Sequence, residues 1–266
     1  MLTISELHIY PIKSLRGISV KSTKVTDRGF EYDRRWMLVD HFGGFMTQRE
    51  YPQMALINVE IDDKGLNVYH RNRKNLRKHF IPLNISKSNV ITVPIWDDTC
   101  SALLVGSDSD KWFSEALDVE CKLVYQPFES RRTVDQKYAK ENALVSFADG
   151  YPFLIISQAS LDDLNSKLDE PLPMNRFRPN IVFTGGDPYQ EDNMKTFKVG
   201  NIIFYGVKPC ARCAIITTNQ ETAERLHEPL KTLATFRKFE NKVLFGMNLL
   251  HEGNGEVNVG DKIEIL

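Results

Sequence analysis

Short apolar runs rich in Val, Ile and Tyr, separated by Gly, Pro and Asp-Lys-Gly turns, fill roughly the first ninety residues. Runs of β-branched and aromatic residues bounded by turn formers read as strands, which are expected at 7–11, 19–25, 35–39, 55–61 and 66–69. Strands so close together, with no helix between them, predict an antiparallel barrel or sandwich. From about residue 95 the pattern mixes helical with strand periods. Residues 110–117 set Trp112, Phe113 and Leu117 on one helical face, with Ser109 as candidate N-cap. The apolar run 153–156 reads as a strand. Ser157 then caps a helix over 158–168, in which Ala159, Leu161, Leu164 and Leu168 recur at helical spacing. Further strands are expected at 180–183, 197–207, 214–217 and 257–266, and Pro229 opens a last helix over 229–239. No internal repeat or low-complexity tract interrupts the chain. The expectation is a mainly β protein with some helices (α+β), with residues 1–95 as a β-rich unit packed on a second unit, 96–266.

Composition narrows the class. A chain of 266 residues, 42% hydrophobic, buries roughly 70–75% of its unfolded surface and needs no disulfide or metal staple. Lys plus Arg number 34 against 35 Asp plus Glu, so no basic excess marks a dedicated nucleic-acid binder. No apolar run approaches the ~18–20 residues of a membrane span, and the N-terminus lacks the pattern of a secretion signal. Four cysteines, Cys100, Cys121, Cys210 and Cys213, are too few for a disulfide scaffold and suit a reducing compartment. A cytoplasmic protein is expected. The one basic cluster, residues 70–79, reads as a solvated hairpin loop, or more sharply as a docking patch for an acidic partner.

Candidate chemistry centres on Lys208-Pro209-Cys210-Ala211-Arg212-Cys213. A thioredoxin-type pair requires a helix N-terminus after a strand, whereas β-prone stretches flank this pair on both sides. Zinc requires a second close pair, and Cys100 and Cys121 do not form one. Two packed thiols remain the plain alternative. Against it, Lys208 and Arg212 bracket the cysteines, and positive charge favours thiolate. A thiolate in turn suits a soft metal whose other donors come from an organic cofactor. A second constellation is cationic: Lys13-Ser14, Asp33-Arg34-Arg35, and Arg176-Phe177-Arg178-Pro179-Asn180. Arg beside Ser or Asn grips phosphate through charge-assisted forks plus a neutral donor, although a single Arg is more often a surface residue.

With these residues assembled, the chain resembles the two-domain MOSC proteins (molybdenum-cofactor sulfurase C-terminal type), and among them bacterial relatives of the mitochondrial amidoxime-reducing component. The resemblance rests on Ile9-Tyr10-Pro11-Ile12-Lys13-Ser14, Asp33-Arg34, Thr47-Gln48-Arg49-Glu50-Tyr51-Pro52, residues 146–153, Ser157-Gln158-Ala159-Ser160-Leu161, residues 177–182, the Cys210/Cys213 segment and Val259-Gly260-Asp261, in this order. It implies a MOSC β-barrel joined to an N-terminal β-rich domain, with a molybdenum-molybdopterin cofactor between them and no pyridoxal phosphate. Carried over by position, Cys213 is the molybdenum ligand and a catalytic residue. Lys13, Ser14 and Arg34 hold the pterin phosphate, and Arg178 and Asn180 complete the cofactor pocket. Asp149 lies by the metal's open side as the second catalytic residue, able to manage a proton if burial raises its pKa. Cys210 is expected to support the site without ligating. The implied activity is reduction of N-hydroxylated compounds (hydroxylamines, N-hydroxylated bases, amidoximes) to amines, a detoxifying reaction. The rival is a sulfur carrier or cofactor-handling protein with a persulfide on Cys213.

Two departures from the family pattern stand out. Mitochondrial members carry hydroxyl residues after the aspartate, where this chain has Gly150-Tyr151. Neither their hydrophobic anchor nor the C-terminal ferredoxin-like domain of some bacterial relatives is expected here. Electrons would then come from a separate ferredoxin, flavodoxin or flavoprotein reductase.

Overall fold

The computed structural model describes residues 1–85, 88–139 and 143–266. Its centre is a closed barrel of seven strands. In spatial order these are Phe153–Ser157, Ile181–Thr184, Leu2–Ile9, Lys262–Ile265, Thr196–Val199, Ile202–Ala211 and Lys242–Glu252, the last pairing back onto Phe153–Ser157. The first two run parallel, and parallel neighbours need a crossover; the helix Gln158–Asn165 and the turn Met174–Arg176 occupy it. Alternate residues fill the interior, among them Ile155, Phe183, Phe197, Phe204, Met247 and Leu249. On the N-terminal strand the inward set changes phase, from Leu2 and Ile4 to Leu7 and Ile9. The register shift between Ile4 and Glu6 is the cause, because one extra residue moves the following side chains to the other face.

Beside the barrel lies a four-stranded antiparallel sheet, Trp36–Asp40, Cys121–Tyr125, Asp98–Leu104 and Val90–Ile95 in that order, and a meander of Ile57–Ile61, Gly65–His70 and His79–Pro82. Trp36, Leu38, Ile57, Val59, Leu66, Val68 and Leu123 share one buried cluster with Phe113 and Leu117 of the helix Ser107–Leu117. Mainly β with a few helices is therefore what the chain forms. The division expected between residues 95 and 96 falls in the turn of a hairpin. The sheet draws strands from both sides of it, while Leu2–Ile9 belongs to the barrel built from residues beyond 150.

Several local expectations are corrected by tertiary contacts. Residues 214–217 form a 3-10 turn instead of a strand. Buried Ile216 packs in the cluster around Phe177 and Phe245 and gives its carbonyl to Arg176 Nε at 2.9 Å, overriding the β-propensity of Ile-Ile-Thr. The first helix begins at Ser107 with Gly106 as N-cap, because Ser109 is buried with its Oγ 2.8 Å from His79 Nε2. Ser157 does cap the second helix, accepting from Ala159 N at 3.2 Å. That helix stops at Asn165, whose side chain bonds Leu172 through both its amide groups. The run 197–207 is two strands hinged on Gly200, whose φ of 59° suits a two-residue hairpin turn. The last helix spans only Leu230–Phe236, with Pro229 as its N-cap and a short strand after it. Residues 70–79 include the hairpin loop, and ion pairs of Arg71 with Glu221, Arg73 with Asp118 and Lys78 with Glu60 fasten it to the body. Among the described residues no helix is long and apolar enough to cross a membrane.

One buried acid sits outside all the candidate chemistry. Glu191, in the turn Gln190–Asn193, is fully buried and accepts Ser160 Oγ at 2.8 Å. Burial pushes its carboxyl from 4.5 up to about 7, with the hydrogen bonds acting against the shift. A raised acid favours the folded state while protonated, so its contribution is fully present below about pH 4.5 and lost as pH rises through about 7. The loss is worth up to about 3 kcal/mol. Urea unfolding should accordingly give a wild-type stability that falls from pH 5 to pH 8, and Glu191→Gln, which stays neutral, should be the more stable protein at pH 8. A wild-type-to-variant difference that does not change with pH would contradict the assignment.

Candidate functional site

The strand Leu2–Ile9 leaves the barrel through Tyr10-Pro11-Ile12-Lys13-Ser14 and docks on the neighbouring sheet, with Lys13 N donating to Trp36 O at 2.8 Å. Arg34 enters from the other side, its backbone N bonded to Tyr10 O at 2.9 Å. Arg178 follows the turn Met174–Arg176 and precedes the strand Ile181–Thr184. The chain therefore brings three distant segments to one wall. Ser14, Arg34 and Arg178 all adopt left-handed backbone, with φ of 64°, 49° and 56°. Such conformations cost of order 1–3 kcal/mol each in a non-glycine residue and cluster where surrounding structure fixes them for a purpose.

Tyr10 organises this wall. Two guanidinium groups lie over its ring, Arg34 at 4.3 Å and Arg178 at 4.2 Å from the centroid, and its hydroxyl donates to Pro179 O at 3.0 Å. Burial pushes that hydroxyl up to about 12, despite the two cations. Arg34 Nη1 donates to Asp33 Oδ2 at 2.6 Å and to Asn180 Oδ1 at 2.9 Å. Asn180 also accepts from Leu154 N and donates to His8 O, so its amide ties Arg34 to the barrel. Arg178 donates Nη1 to Leu15 O at 2.8 Å. Burial lowers its guanidinium to about 10, which leaves it charged at neutral pH, with donors to spare in a shielded place. The Ser14 hydroxyl lines the same pocket and has no hydrogen-bond partner among the described residues.

Across the pocket stands the cysteine pair. Cys210 ends the long strand Ile202–Ala211, and Cys213 is the N-cap of the turn Ala214–Thr217. Both thiols are free and line the pocket. The flanking cations divide differently from the sequence expectation. Arg212 points Nη1 at Cys210 Sγ, 3.1 Å away, and Nη2 at Phe177 O. Lys208 turns onto the rings of Tyr138 and Tyr151, 4.5 and 5.9 Å from their centroids. Cys100 and Cys121 are buried in the other sheet, and burial pushes the Cys121 thiol up to about 11.

Asp149 lies on the same pocket, in an environment opposite to the one a proton donor needs. Desolvation favours its neutral form, but the Lys13 charge and hydrogen bond at 2.5 Å, with Arg49 and Trp96 behind them, hold the carboxyl well below the usual range. The raised pKa on which proton handling depended is therefore absent. Lys13 is itself pulled down by burial, while Asp149 pushes it back up; its ammonium also donates to Phe147 O at 2.8 Å. Arg132 fixes the Asp149 loop by donating to the carbonyls of Ser146, Ala148 and Asp149. Arg132, Arg49, Trp96 and the stacking role of Tyr10 were not read from the sequence. Hydrophobic period and local spacing do not reveal these roles: Arg132 reaches carbonyls 14–17 residues on, and Trp96 and Arg49 reach a carboxylate 53 and 100 residues on. Gln48, wholly buried, supports Ser14 by donating to its carbonyl at 2.7 Å and is held in turn by Gln220.

The site thus gathers Lys13, Ser14, Arg34, Asp149, Arg178, Asn180 and Cys213 around one pocket. Family models match the chain in two stretches: the MOSC N-terminal beta barrel domain over residues 1–120 and the MOSC domain over residues 142–264. Mitochondrial amidoxime-reducing component 1 of Mus musculus is 31% identical, over 99% of this chain and 82% of its own length. Mitochondrial amidoxime reducing component 2 of Rattus norvegicus is 30% identical over 98% and 82%. A molybdenum cofactor sulfurase of Oryza sativa subsp. japonica is 30% identical over 98% of this chain, which spans 35% of that longer protein. By these matches the chain belongs to the MOSC family, with a MOSC N-terminal beta barrel domain followed by a MOSC domain.

Proposed function

We propose that the protein reduces N-hydroxylated compounds (hydroxylamines, N-hydroxylated bases, amidoximes) to amines, using a molybdenum-molybdopterin cofactor held in this pocket. The observation that carries the reading is the meeting of two thiols and four cations, Lys13, Arg34, Arg178 and Arg212, around a pocket with one carboxylate. The residues fit such a cofactor. Its phosphate is an anion, and Arg178 offers a half-buried guanidinium with unused donors, on the pocket that the unpartnered Ser14 hydroxyl also lines. Among the described residues no group of three or more His, Cys, Asp or Glu side chains could hold a metal ion, so a metal anchored on one thiolate here would take its remaining donors from the cofactor.

In this reading Cys213 is the protein ligand to molybdenum. Ser14, Arg34 and Arg178 hold the phosphate, and Asn180 acts by fixing Arg34. Lys13 adds charge from the pocket floor while pinning Asp149, which serves as a fixed carboxylate beside the substrate. When bound, the cofactor supplies the two-electron chemistry that these side chains cannot. The balance is R–NHOH + 2 e⁻ + 2 H⁺ → R–NH₂ + H₂O: the N–O bond breaks, its oxygen leaves as water, protons enter from solvent, and the electrons come from a separate ferredoxin, flavodoxin or flavoprotein reductase. The reaction detoxifies N-hydroxylated compounds in the cytoplasm. The sulfurase similarity keeps a second reading open, in which Cys213 carries a persulfide.

Protein from a host that makes the cofactor should contain stoichiometric molybdenum, and Cys213→Ala should contain none; metal-free wild type from such a host would overturn the reading. Arg178→Leu should retain the cofactor at least tenfold less well, the loss of one to two charge-assisted bonds worth about 1.5–3 kcal/mol each, as measured by metal content after dialysis. With reduced viologen as electron source, the wild type should convert a hydroxylamine to its amine. Absence of turnover together with uptake of labelled sulfur at Cys213 would favour the carrier instead.

A further inference from the structure

The carboxylate of Asp149 is gripped from outside the pocket by a device that the reductase reading does not require. Trp96 occupies the two-residue turn between the strands Val90–Ile95 and Asp98–Leu104 with a φ of 55°, where Asn or Gly would be unstrained. It remains 42% exposed. Its Nε1 donates to Asp149 Oδ1 at 3.3 Å, while Arg49 stacks on its ring at 4.0 Å and donates to Asp149 Oδ2 at 3.4 Å. Lys13 also donates to Oδ1, at 2.5 Å. Arg132 fixes the backbone through three carbonyls. Every group holding this carboxylate is a donor, so it stays ionised and can only accept hydrogen bonds. A carboxylate has about four acceptor positions; three donors reach it, and its side chain is still 58% exposed. Asp149, Gly150 and Tyr151 also form the line where the pocket meets a neighbouring groove that includes Trp96, Arg132 and Lys208. A molecule passing from that groove toward Cys213 meets the free side of the carboxylate.

We infer that Asp149, clamped by Lys13, Trp96 and Arg49, is the specificity-determining group of the site and admits N–O compounds that carry an N–H or O–H donor beside the N–O bond, while rejecting tertiary-amine N-oxides. A hydroxylamine or amidoxime gives its proton to the carboxylate in a charge-assisted bond. An N-oxide of a tertiary amine presents only an acceptor oxygen, sets like against like, and leaves the carboxylate unpaired on binding. Trp96 and Arg49 are positioning residues in this scheme: they aim the carboxylate and do not touch the substrate. The inference rests on the reductase reading for its choice of ligands, but its main readout is binding.

Calorimetry on oxidised, cofactor-loaded protein without reductant tests it, with N-cyclohexylhydroxylamine and N,N-dimethylcyclohexylamine N-oxide as the probes. The hydroxylamine should bind roughly ten- to hundredfold more tightly, the span of one charge-assisted hydrogen bond. In Asp149→Asn, whose amide both donates and accepts, the gap should close to within about threefold. Trp96→Phe keeps the ring and removes the N–H; it should raise KM for the hydroxylamine several-fold with kcat little changed, while N-oxide binding stays put. Equal binding of the two probes by the wild type, or an unchanged gap in Asp149→Asn, overturns the inference. A measured gap without viologen-driven reduction of the hydroxylamine supports the selectivity and sinks the reductase reading. Reduction of both probes at equal kcat/KM sinks the selectivity and leaves the reductase reading standing.

Discussion

The strand Leu2–Ile9 is the constraint on which the rest depends. It closes the barrel by pairing with Ile181–Thr184 on one side and Lys262–Ile265 on the other. The chain then has to leave that barrel at Tyr10 and enter the other sheet at Trp36. A barrel without this strand would expose two sheet edges, which proteins rarely leave open. The same placement delivers Lys13 and Ser14 to the pocket that Arg178 and Cys213 also line. Site and fold are consequently not separable into a scaffold and an insertion. Loss of register along the first strand would unmake both, because a shift of one residue sends every inward side chain outward.

Charge supplies the second constraint. Four cations around one pocket repel one another, and desolvation already lowers Arg178 and Lys13 from their ordinary values. The structure offsets this partly with acids: Asp33 under Arg34 and Asp149 against Lys13. Tyr10 offsets it further by offering its π system to two guanidinium groups. Arg178 has no carboxylate of its own, only a carbonyl from Leu15 and the tyrosine ring. Burying a charge without a full partner is unfavourable unless a ligand completes it. An anion bound between Ser14 and Arg178 would relieve that imbalance, which the proposed cofactor phosphate would supply.

What was legible in the sequence follows from how far each signal reaches. Runs such as Phe153–Ser157 and the Ser157 cap were readable, because alternation and capping are decided within a few residues. The 3-10 turn at Ala214–Thr217 was not, since only contact with Arg176 and the Phe177 cluster holds those β-branched residues out of a strand. The cationic motifs and the thiol pair were readable as residue types, and their meeting in one pocket rested on the family resemblance. Trp96 and Arg132 carried no such signal. Their importance comes from a carboxylate 53 residues beyond Trp96 and a loop 14–17 residues beyond Arg132, contacts that neither period nor spacing records.

The two cysteines show how a short motif divides its labour. Cys210 sits where the strand still packs, against the cluster that includes Phe177 and Phe245, and its sulfur receives an N–H from Arg212. Cys213 stands three residues later, where the strand has ended and a tight turn begins. Its backbone opens that turn, and its sulfur has no hydrogen-bond partner among the described residues. Four residues are enough to carry the chain from sheet to turn, so both thiols line the pocket but only one of them is hydrogen-bonded. That asymmetry gives the two sulfurs different polar surroundings: Cys210 accepts from Arg212 at 3.1 Å, and Cys213 has no such bond among the described residues.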